Sequence, residues 1–399
     1  MKKLLLSISV AAVSMAGAAN AAPALQMNGG HVGVSTTINA QVQERIVTVD
    51  DNNGVIPGTV NIDMSGAALF GSTIDSINGT VYGAGPNYVP TQFTGVGQLV
   101  LQTVGSNTVG LCTASRISAT HILTAAHCMT DGSGAVDRDT GIIGFIDGNG
   151  NVEEHTFTIS QDNIHPLYDG DLANGYDLAV FELDSTPSMG IEIYEIYRDS
   201  DELFQTYTRV GFGGLGNGNV GARGGELGFK LQGQNVYEAN ADIVNEILST
   251  INDTFSTFPE TVLLSDFDNG LAVQNALEQY DLFLLDNGIT TANSGMFTDT
   301  GVMGESNSAG GDSGGPGFIN GQIAGVTSFG LGFGGFFADL DGVVNSTFGE
   351  VMGDARVSAG QDFIDSFINP GDPIPVPAAA WLFGTIAAGA AARRKAKKA

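Results

Sequence analysis

Basic residues are scarce in this sequence, and nearly half of them lie at its two ends. The chain has 15 lysines and arginines but 43 aspartates and glutamates, which gives a formal net charge of −28. Seven of the 15 fall within residues 2–3 and 393–398, so few remain for the interior. So little positive charge cannot neutralise phosphates, which excludes nucleic acid as a partner. The acidic balance suits a soluble secreted protein, one from salty water, or one that binds divalent cations.

Cysteine is rarer still, with only Cys112 and Cys128 among 399 residues. In a reducing cytosol both would be free thiols, whereas an export signal favours a disulfide. A disulfide that closes a loop of this size would stabilise the fold by roughly 3 kcal/mol in the chain-entropy model. Long helical periodicity is also scarce, and the 57 glycines indicate many turns. With 42% hydrophobic residues, the chain can still bury a packed core.

The first 21 residues have the composition of a signal peptide. Lys2 and Lys3 form a positive start, residues 4–18 form an apolar run, and residues 19–21 form a small-x-small cleavage site. We therefore expect export from a bacterial cytoplasm to the periplasm, the cell surface or the medium. Residues 22–92, poor in charge and with short alternating runs at 32–38 and 45–49, are interpreted as an N-terminal extension or propeptide.

From residue 95 onward, short strand-like runs alternate with glycine turns, which favours an all-β barrel or sandwich. Helix-like apolar spacing at 239–251 and 271–285 predicts a helical insertion at about residues 236–300. Residues 358–367 predict one short amphipathic helix near the end of the domain. The clearest strand-like runs are residues 97–101, 117–124, 181–183, 317–319, 323–327 and 342–344.

The C-terminal residues combine three kinds of sequence. Residues 370–377 are a proline-rich linker that cannot continue a helix. Residues 378–392 are an apolar helix candidate, and a basic cluster follows at 393–398, within the closing segment 378–399. The apolar run is shorter than the ~20 residues that span a membrane comfortably, but such a basic cluster holds a segment's end in the cytoplasm. We expect transient anchoring in the inner membrane; the alternative, a helix lying on the surface, would need a polar face that the segment lacks.

Three separated segments supply the parts of an activated serine nucleophile. Ser313 lies between glycines in the segment GGDSGGP, where backbone N–H groups can approach a ligand closely. A serine is a weak nucleophile that needs an adjacent base, and the base needs a group that orients it. His127, in the segment LTAAHC, and Asp177, in the segment YDLAV, supply a base and a carboxylate. The sequence therefore predicts a Ser–His–Asp triad.

In this order the three segments resemble the trypsin/chymotrypsin family of serine proteases, and the resemblance covers roughly residues 90–370. It implies an all-β fold of two six-stranded antiparallel barrels for a protease domain at residues 93–369. The helical insertion and the C-terminal helix belong to this domain.

The resemblance also implies a role for each residue of the triad. His127 would be the general base, Asp177 would fix its tautomer, and Ser313 would attack the scissile carbonyl. The backbone N–H groups of Gly311 and Ser313 would form the oxyanion hole. Protein or peptide substrates follow from the same resemblance.

Further residues around the site are implied by the same family pattern. Asn307, six positions before the serine, would line the specificity pocket, and an asparagine indicates neither an acidic nor a plain apolar pocket. Cys112 and Cys128 occupy the positions of the disulfide that the family has beside its catalytic histidine. The segment that would pair with the substrate backbone is Ser328, Phe329 and Gly330.

A second aspartate could fill the role of Asp177, because Asp171 begins the same tripeptide sequence, Asp-Leu-Ala. We favour Asp177, since an apolar strand-like run follows it, whereas Asp171 leads into Asn174 and Gly175.

Activation is a second open point. In the family a new N-terminus inserts to pair with the aspartate that is Asp312 here. The nearest match to the usual N-terminal sequence begins at Ile46, after Arg45, and lies further upstream than the family's spacing. Cleavage between these residues is a hypothesis.

The C-terminal tail, with Val376-Pro377 and Trp381, resembles the PEP-CTERM sorting signal of Gram-negative bacteria. The resemblance implies an exosortase-type membrane enzyme as a processing partner. The signature Pro-Glu-Pro is replaced here by a variant at residues 374–377.

No cofactor is required by this chemistry, and no metal ligand is assigned. Calcium as a structural ion stays open, because residues 147–154 and 266–270 offer oxygen ligands at alternating positions. Solvated acidic turns are the alternative for both segments.

The sequence as a whole predicts a secreted serine endopeptidase that works through an acyl-enzyme intermediate. Two alternatives are a catalytically weak protein of the protease fold with a binding or surface-matrix role, and a serine esterase. The intact triad counts against the first alternative, and the fold resemblance counts against the second.

Overall fold

The computed structural model describes most of the chain between Val89 and Asn369, together with five short strands before it. The predicted signal peptide, the linker at 370–377 and the segment 378–399 lie outside the described residues, as does most of the predicted extension. The described residues are 31–34, 44–50, 55–61, 76–77, 80–81, 89, 91–103, 109–223, 230–250, 259–298, 301–302, 305–331, 338–341 and 344–369.

Among the described strands before Val89, one covers the start of the alternating run at 32–38 and another covers the run at 45–49. β1, β2 and β3 form an antiparallel sheet in that order, and β4 pairs with β5. The bounds are β1 (His31–Val34), β2 (Glu44–Asp50), β3 (Val55–Asn61), β4 (Ser76–Ile77) and β5 (Thr80–Val81).

The first sheet of the main domain has six antiparallel strands in the order β10-β9-β6-β7-β8-β11. A bridge between Phe157, in β10, and Leu183, just after β11, brings its two edges together. The sheet therefore curls into a half-barrel around an apolar core. Its strands are β6 (Val96–Thr103), β7 (Val109–Arg116), β8 (His121–Thr124), β9 (Arg138–Ile146), β10 (Val152–Thr158) and β11 (Ala179–Glu182).

Glycine placement in the first sheet follows from packing. Gly141 and Phe157 are direct partners in the β9–β10 register. A Cβ atom at Gly141 would lie 2.2 Å from the Phe157 ring, so only glycine lets this ring cross the sheet. The ring in turn contacts Phe181 of β11 at 5.0 Å between centroids. This contact joins the edges of the half-barrel through its core.

The second sheet has seven antiparallel strands in the order β15-β12-β18-β19-β20-β17-β16. The predicted all-β class with two curled antiparallel sheets is confirmed, with one strand more here than the predicted six. Between β12 and β15 in the chain, β13 and β14 form a small separate hairpin. The strands are β12 (Thr206–Gly211), β13 (Leu215–Asn217), β14 (Gly221–Arg223), β15 (Leu231–Val236), β16 (Ala239–Asn240), β17 (Val262–Asp266), β18 (Pro316–Ile319), β19 (Gln322–Leu331) and β20 (Val351–Arg356).

The predicted helical insertion holds two helices, but also two strands of the second sheet. α1 (Asp242–Thr250) begins three residues after the predicted start, because residues 239–240 pair with β17 instead. α2 (Ala276–Asp286) begins after the predicted residue 271, where the Asn275 side chain accepts a hydrogen bond from the Glu278 N–H at 2.6 Å. This N-cap satisfies a helix-terminal donor and fixes the start.

The predicted C-terminal helix is confirmed as α3 (Gln361–Ile368), preceded by a single 3-10 turn. It packs across the first sheet: the Phe363 ring meets His165 edge-on at 4.9 Å, and Phe367 meets His121 of β8 at 6.4 Å. Ile364 is fully buried between them. Across the described ranges, no helix has the length and apolar character needed to cross a bilayer.

Candidate active site

His127 and Asp177 are joined by two hydrogen bonds where the first sheet faces the second. The His127 ring contacts Asp177 through Nδ1 and Oδ2 at 2.6 Å, and the His127 backbone N–H donates to Oδ1 at 2.8 Å. Asp177 is fully buried and His127 is only 4% exposed. The imidazole is therefore fixed in both position and orientation.

A third group holds the Asp177 carboxylate. The Ser328 hydroxyl, in β19 of the second sheet, donates to Asp177 Oδ2 at 2.5 Å. Burial alone would raise the pKa of Asp177, but His127 and these hydrogen bonds lower it below its usual value. The carboxylate is therefore ionised at neutral pH and can only accept hydrogen bonds. Nδ1 of His127 must then carry the proton, which leaves the lone pair on Nε2.

The chain turns sharply before Asp177. Tyr176 has a φ of +55°, a conformation that few residues other than glycine adopt. The His165 ring stacks on Tyr176 at 4.5 Å, and the His165 backbone N–H donates to the Leu178 carbonyl at 2.9 Å. Burial lowers the pKa of His165 to about 4, so this ring is neutral and serves as packing. These contacts support the strained backbone that aims Asp177 at His127.

Asp177, not its competitor, is the aspartate that the structure brings to His127. Asp171 is exposed, and its backbone N–H donates to the side chain of Asp169 at 3.0 Å. The preference for Asp177 on the basis of the run that follows it agrees with this geometry.

Ser313 lies in a loop that both sheets hold by its backbone. The Ser313 carbonyl accepts from Thr113 N–H of β7 at 2.8 Å, and Gly314 N–H donates to the Thr327 carbonyl of β19 at 2.8 Å. Thr113 also donates through its hydroxyl to the Gly311 carbonyl at 2.9 Å. The serine side chain is buried, and its Oγ has no hydrogen-bond partner within the described residues.

Glycine is required beside the serine for two independent reasons. Gly314 has a φ of +83°, which side chains disfavour. A Cβ atom there would also lie 2.1 Å from the Thr124 hydroxyl and 2.3 Å from the Thr113 carbonyl. Gly311, with a φ of +104°, supplies the second left-handed turn of the loop. The glycines of the motif therefore shape a tight loop from which the serine projects.

Cys112 and Cys128 form the predicted disulfide, with an S–S distance of 2.08 Å. The Cys128 sulfur lies 3.9 Å from His127 Nε2 and 3.8 Å from the Ser313 carbonyl oxygen. The disulfide therefore lies against both the histidine and the serine loop. Within the described ranges, one group of three potential metal ligands comes together, and it consists of these two cysteines and His127. The two cysteines are oxidised to the disulfide and therefore offer no thiolate to a metal ion.

The Asp312 side chain is buried next to Ser313 and accepts two backbone hydrogen bonds. Gly213 N–H donates to Oδ1 at 2.7 Å and Ala309 N–H donates to Oδ2 at 2.9 Å. Burial raises the pKa of Asp312 to about 6, although these bonds act in the opposite direction. A Cβ atom at Gly211, the last residue of β12, would lie 2.1 Å from Asp312 Oδ1. Only glycine at this position leaves room for the carboxylate.

The predicted substrate-binding residues lie on two segments next to the triad. Asn307 is 2% exposed, and its side-chain oxygen accepts from the Ser308 N–H at 2.7 Å. Phe329 and Gly330 continue β19 past Ser328, where the pairing with β20 shifts register. This irregularity leaves Ser328 without a direct partner in β20 and turned to Asp177.

Two contacts of the site were not anticipated from the sequence: the Ser328–Asp177 hydrogen bond and the anchoring of the serine loop by Thr113. Both join residues more than 100 positions apart, and neither residue lies in a motif that signals such a contact.

The candidate calcium segments are held by their own hydrogen bonds. Asp147 Oδ1 accepts from the N–H groups of Asn149 and Asn151, each at 2.8 Å, which closes the β9–β10 turn. Glu153 accepts from the Ser188 N–H at 2.8 Å. In the second segment, Asp266 Oδ2 accepts from the Leu277 N–H at 2.8 Å. Calcium binding stays a prediction.

The architecture is the trypsin-like fold that the sequence predicts, and residues 91–260 match the family model described as Trypsin. One similar solved structure is that of neuropsin, a serine protease expressed in the limbic system of mouse brain. It is 14% identical with a TM-score of 0.44, over 71% of this chain and 99% of neuropsin. HL collagenase is 17% identical with a TM-score of 0.44, over 72% of this chain and 97% of its own. No curated protein sequence matches the chain. The family match includes His127 and Asp177 and ends before Ser313.

Proposed function

We propose that this protein is a serine endopeptidase that hydrolyses peptide bonds through Ser313, His127 and Asp177. The observation that carries the proposal is the buried His127–Asp177 pair and its closeness to the serine loop. The Cys128 sulfur lies 3.9 Å from Nε2 of His127 and 3.8 Å from the carbonyl oxygen of Ser313. The peptidase class is supported by the match of residues 91–260 to the trypsin family.

The mechanism follows from the protonation states of the pair. Nε2 of His127 accepts the proton of Ser313 Oγ as this oxygen forms a bond to the scissile carbonyl carbon. The imidazolium that results is stabilised by the ionised Asp177. It then gives its proton to the leaving amine as the C–N bond breaks, which yields an acyl-enzyme. A water molecule repeats the sequence: its oxygen forms a bond to the acyl carbon as His127 removes its proton, the bond from that carbon to Ser313 Oγ breaks to release the carboxylic acid, and the proton returns to Oγ.

The oxyanion of each tetrahedral intermediate needs donors in a fixed position. We assign this role to the backbone N–H groups of Gly311 and Ser313, as the family resemblance implies. The loop that carries them is held by Thr113 from the first sheet and by Thr327 from the second. Donors fixed in advance do not need to reorganise as charge develops, which is the main source of rate enhancement in such sites.

The test is a time course of casein hydrolysis by mature protein with and without a serine-directed covalent inhibitor. Inhibition and covalent labelling should coincide, and Ser313→Ala should abolish both while the fold is retained. A protein that hydrolyses casein equally well after this substitution would contradict the assignment.

One observation favours a second candidate, a catalytically weak protein of this fold with a binding or surface-matrix role. Ser313 Oγ has no hydrogen-bond partner within the described residues, so the nucleophile and base are not yet joined. Such bonds are often long in the absence of substrate and tighten when it binds. A protein that binds casein but neither cleaves it nor reacts with the inhibitor would favour this candidate.

We further propose that the protein is exported and then processed at its tail. The support is the signal-peptide composition of residues 1–21 and the apolar-basic order of residues 378–399. Full-length protein should first associate with the inner membrane and then lose its tail near Val376 through an exosortase-type enzyme. Mass spectrometry of the secreted C-terminus tests this, and a secreted chain ending at Ala399 would contradict it.

A further inference from the structure

A buried polar network lies next to the serine loop, and its charged side chains have no part in the mechanism above. Its centre is Arg209 in β12, which is 3% exposed. The guanidinium donates to the Thr327 hydroxyl at 3.0 Å, to the Tyr207 hydroxyl at 3.1 Å and to Asp354 Oδ1 at 3.1 Å. Three strands of the second sheet thus converge on one side chain.

The partners of Arg209 are fixed in turn. The Tyr237 hydroxyl donates to Asp354 Oδ2 at 2.7 Å, and the rings of Tyr207 and Tyr237 stack at 3.8 Å between centroids. The sheet is shaped to hold them: a Cβ atom at Gly325 would lie 2.3 Å from the Tyr237 hydroxyl. None of these polar side chains is more than 3% exposed.

Such a network is costly to bury and gains little stability. Taking a guanidinium and a carboxylate out of water carries a desolvation penalty that their attraction only partly offsets, and well-packed apolar residues are often as stable. The guanidinium remains charged: burial would lower the pKa of Arg209, but Tyr207 and Asp354 raise it and the net shift is upward. A network of this kind is best explained by the geometry that it fixes.

Thr327 connects the network to the catalytic residues. Its backbone pairs with the serine loop on both sides, because Gly314 N–H donates to its carbonyl at 2.8 Å and its own N–H donates to the Gly315 carbonyl at 2.9 Å. The next residue, Ser328, donates to Asp177. Residues 327–328 therefore set the distance between the nucleophile's loop and the aspartate.

We propose that Arg209 is a positioning residue of the catalytic site, which acts through Thr327 to fix the Ser313 loop against Asp177. This inference rests on the proposed peptidase function. It predicts that loss of the Arg209–Thr327 hydrogen bond slows the chemical step in molecules that remain folded, without a matching change in substrate binding.

Two substitutions remove the hydrogen bond from opposite ends. Arg209→Met removes the charge with similar volume, whereas Thr327→Val removes only the accepting hydroxyl. Thr327→Ser retains the hydroxyl and is the conservative rescue. The matched control is Arg356→Met in β20 of the same sheet, which breaks a partly buried ion pair with Glu202 but contacts no residue of the proposed triad.

The readouts are kcat and KM per folded molecule, the labelling rate of Ser313 by a fluorophosphonate, and hydrogen exchange of the Gly314 and Thr327 amides. A displaced loop should lower kcat by about 10²-fold in Arg209→Met, because small misplacements far from the chemistry have effects of this size. Loss of a single hydrogen bond to a charged group should lower it about tenfold in Thr327→Val. KM should be unchanged, Thr327→Ser should restore the rate, and the two loop amides should exchange faster.

Equal kcat per folded molecule in wild type, Arg209→Met and Thr327→Val would overturn the inference and leave the peptidase function intact. The same holds if Arg356→Met lowers kcat per folded molecule as much as Arg209→Met, because the effect would then come from a general perturbation of the sheet and not from the contact with Thr327. If the wild type neither hydrolyses casein nor reacts with the fluorophosphonate, the peptidase function fails. Hydrogen exchange then decides the positioning role: faster exchange confined to the two loop amides supports it, and unchanged exchange overturns it.

Discussion

The two sheets hold their parts of the site by different means. The first sheet, next to His127 and Asp177, has the one disulfide, Cys112–Cys128, and among the side chains that the structure describes its strands bury a single lysine, arginine, aspartate or glutamate, that of Arg116. The second sheet, which holds the loop of Ser313, has no cysteine in its strands but buries several charged side chains, among them Arg209, Asp354, Glu350 and Asp312. One half is fixed covalently and the other by buried polar contacts.

This difference suggests how the two halves respond to pH. In the first half, the pKa of Asp177 is lowered, since His127 and Ser328 favour its ionised form. In the second half, burial raises the pKa of Asp312 to about 6 and that of Glu350 to about 7. The ionised form of Asp177 therefore stabilises the fold, whereas the ionised forms of the other two destabilise it.

The largest expected effect is on the first half. Asp177→Asn should lower kcat by about 10⁴-fold, because a neutral amide no longer selects the tautomer with the lone pair on Nε2. Steady-state kinetics on casein-derived peptides measure this. Asp171→Asn is the matched control and should be nearly silent, since this side chain is exposed. The reverse order of the two effects would show that the triad is wrongly assigned.

Loss of the disulfide should have the next largest effect. Replacing Cys112 and Cys128 together by alanine should lower the free energy of unfolding by about 3 kcal/mol, because the unfolded chain regains the freedom of the closed loop. Urea denaturation of the variant and of reduced wild type measures this. The exported protein should show no free thiol when denatured without reductant. Two titratable thiols would mean that no disulfide fixes the first sheet, which would contradict the contrast between the two sheets.

The pH response of the second half should be smaller and of opposite sign. When the pKa of a carboxyl group is higher in the folded than in the unfolded state, the protein loses stability as the pH rises from the unfolded pKa to the folded pKa. For Glu350 this window runs from 4.5 to about 7. Wild type should lose about 2–3 kcal/mol of unfolding free energy across it relative to Glu350→Gln.

Urea denaturation at several pH values compares the two proteins. Glutamine at position 350 can still accept the hydrogen bonds that Oε1 receives from the N–H groups of Asn345 and Thr347, but its amide nitrogen cannot accept the one that Oε2 receives from Ser346. The comparison therefore uses the change of the difference with pH, not the absolute stabilities. A difference that grows as pH falls, instead of as it rises, would refute the contrast between the halves.

The fold class was predictable from the sequence, and the residues of the proposed triad were indicated by it, because the motifs around His127 and Ser313 are local and specific. The strand β17 (Val262–Asp266) was missed, since it is buried on both faces and shows no alternation. The Arg209 network was missed for another reason. Its members, Tyr207 to Asp354, are far apart in the chain, and Arg209 begins a glycine-dense stretch that indicates a loop or hairpin, where an isolated arginine is usually exposed. Contacts of this kind depend on the sheet register, which local patterns do not reveal.

The smallest expected effect concerns activation. The sequence suggests cleavage between Arg45 and Ile46, after which the new amino group would pair with Asp312. Both oxygens of Asp312 already accept backbone hydrogen bonds, from Gly213 and Ala309. A Cβ atom at Gly211 would lie 2.1 Å from Oδ1 and one at Gly213 would lie 2.3 Å from Oδ2, so both glycines pack directly against this carboxylate. An entering ammonium group would have to displace contacts that already shape the serine loop.

We therefore expect Arg45→Gln, which removes the cleavage site, to have the same kcat/KM as wild type. Mass spectrometry establishes that the chain is uncut at this position, and peptide hydrolysis gives the rate. Asp312→Asn is the matched comparison, and it should lower activity in cut and uncut chains alike, because its amide nitrogen cannot accept a hydrogen bond from Gly213 or Ala309. The opposite result would be an uncut Arg45→Gln protein that is inactive and a cleaved wild type that is active. It would show that the second sheet needs the new N-terminus to form an active site. The polar contacts of the second sheet would then be insufficient to fix the serine loop.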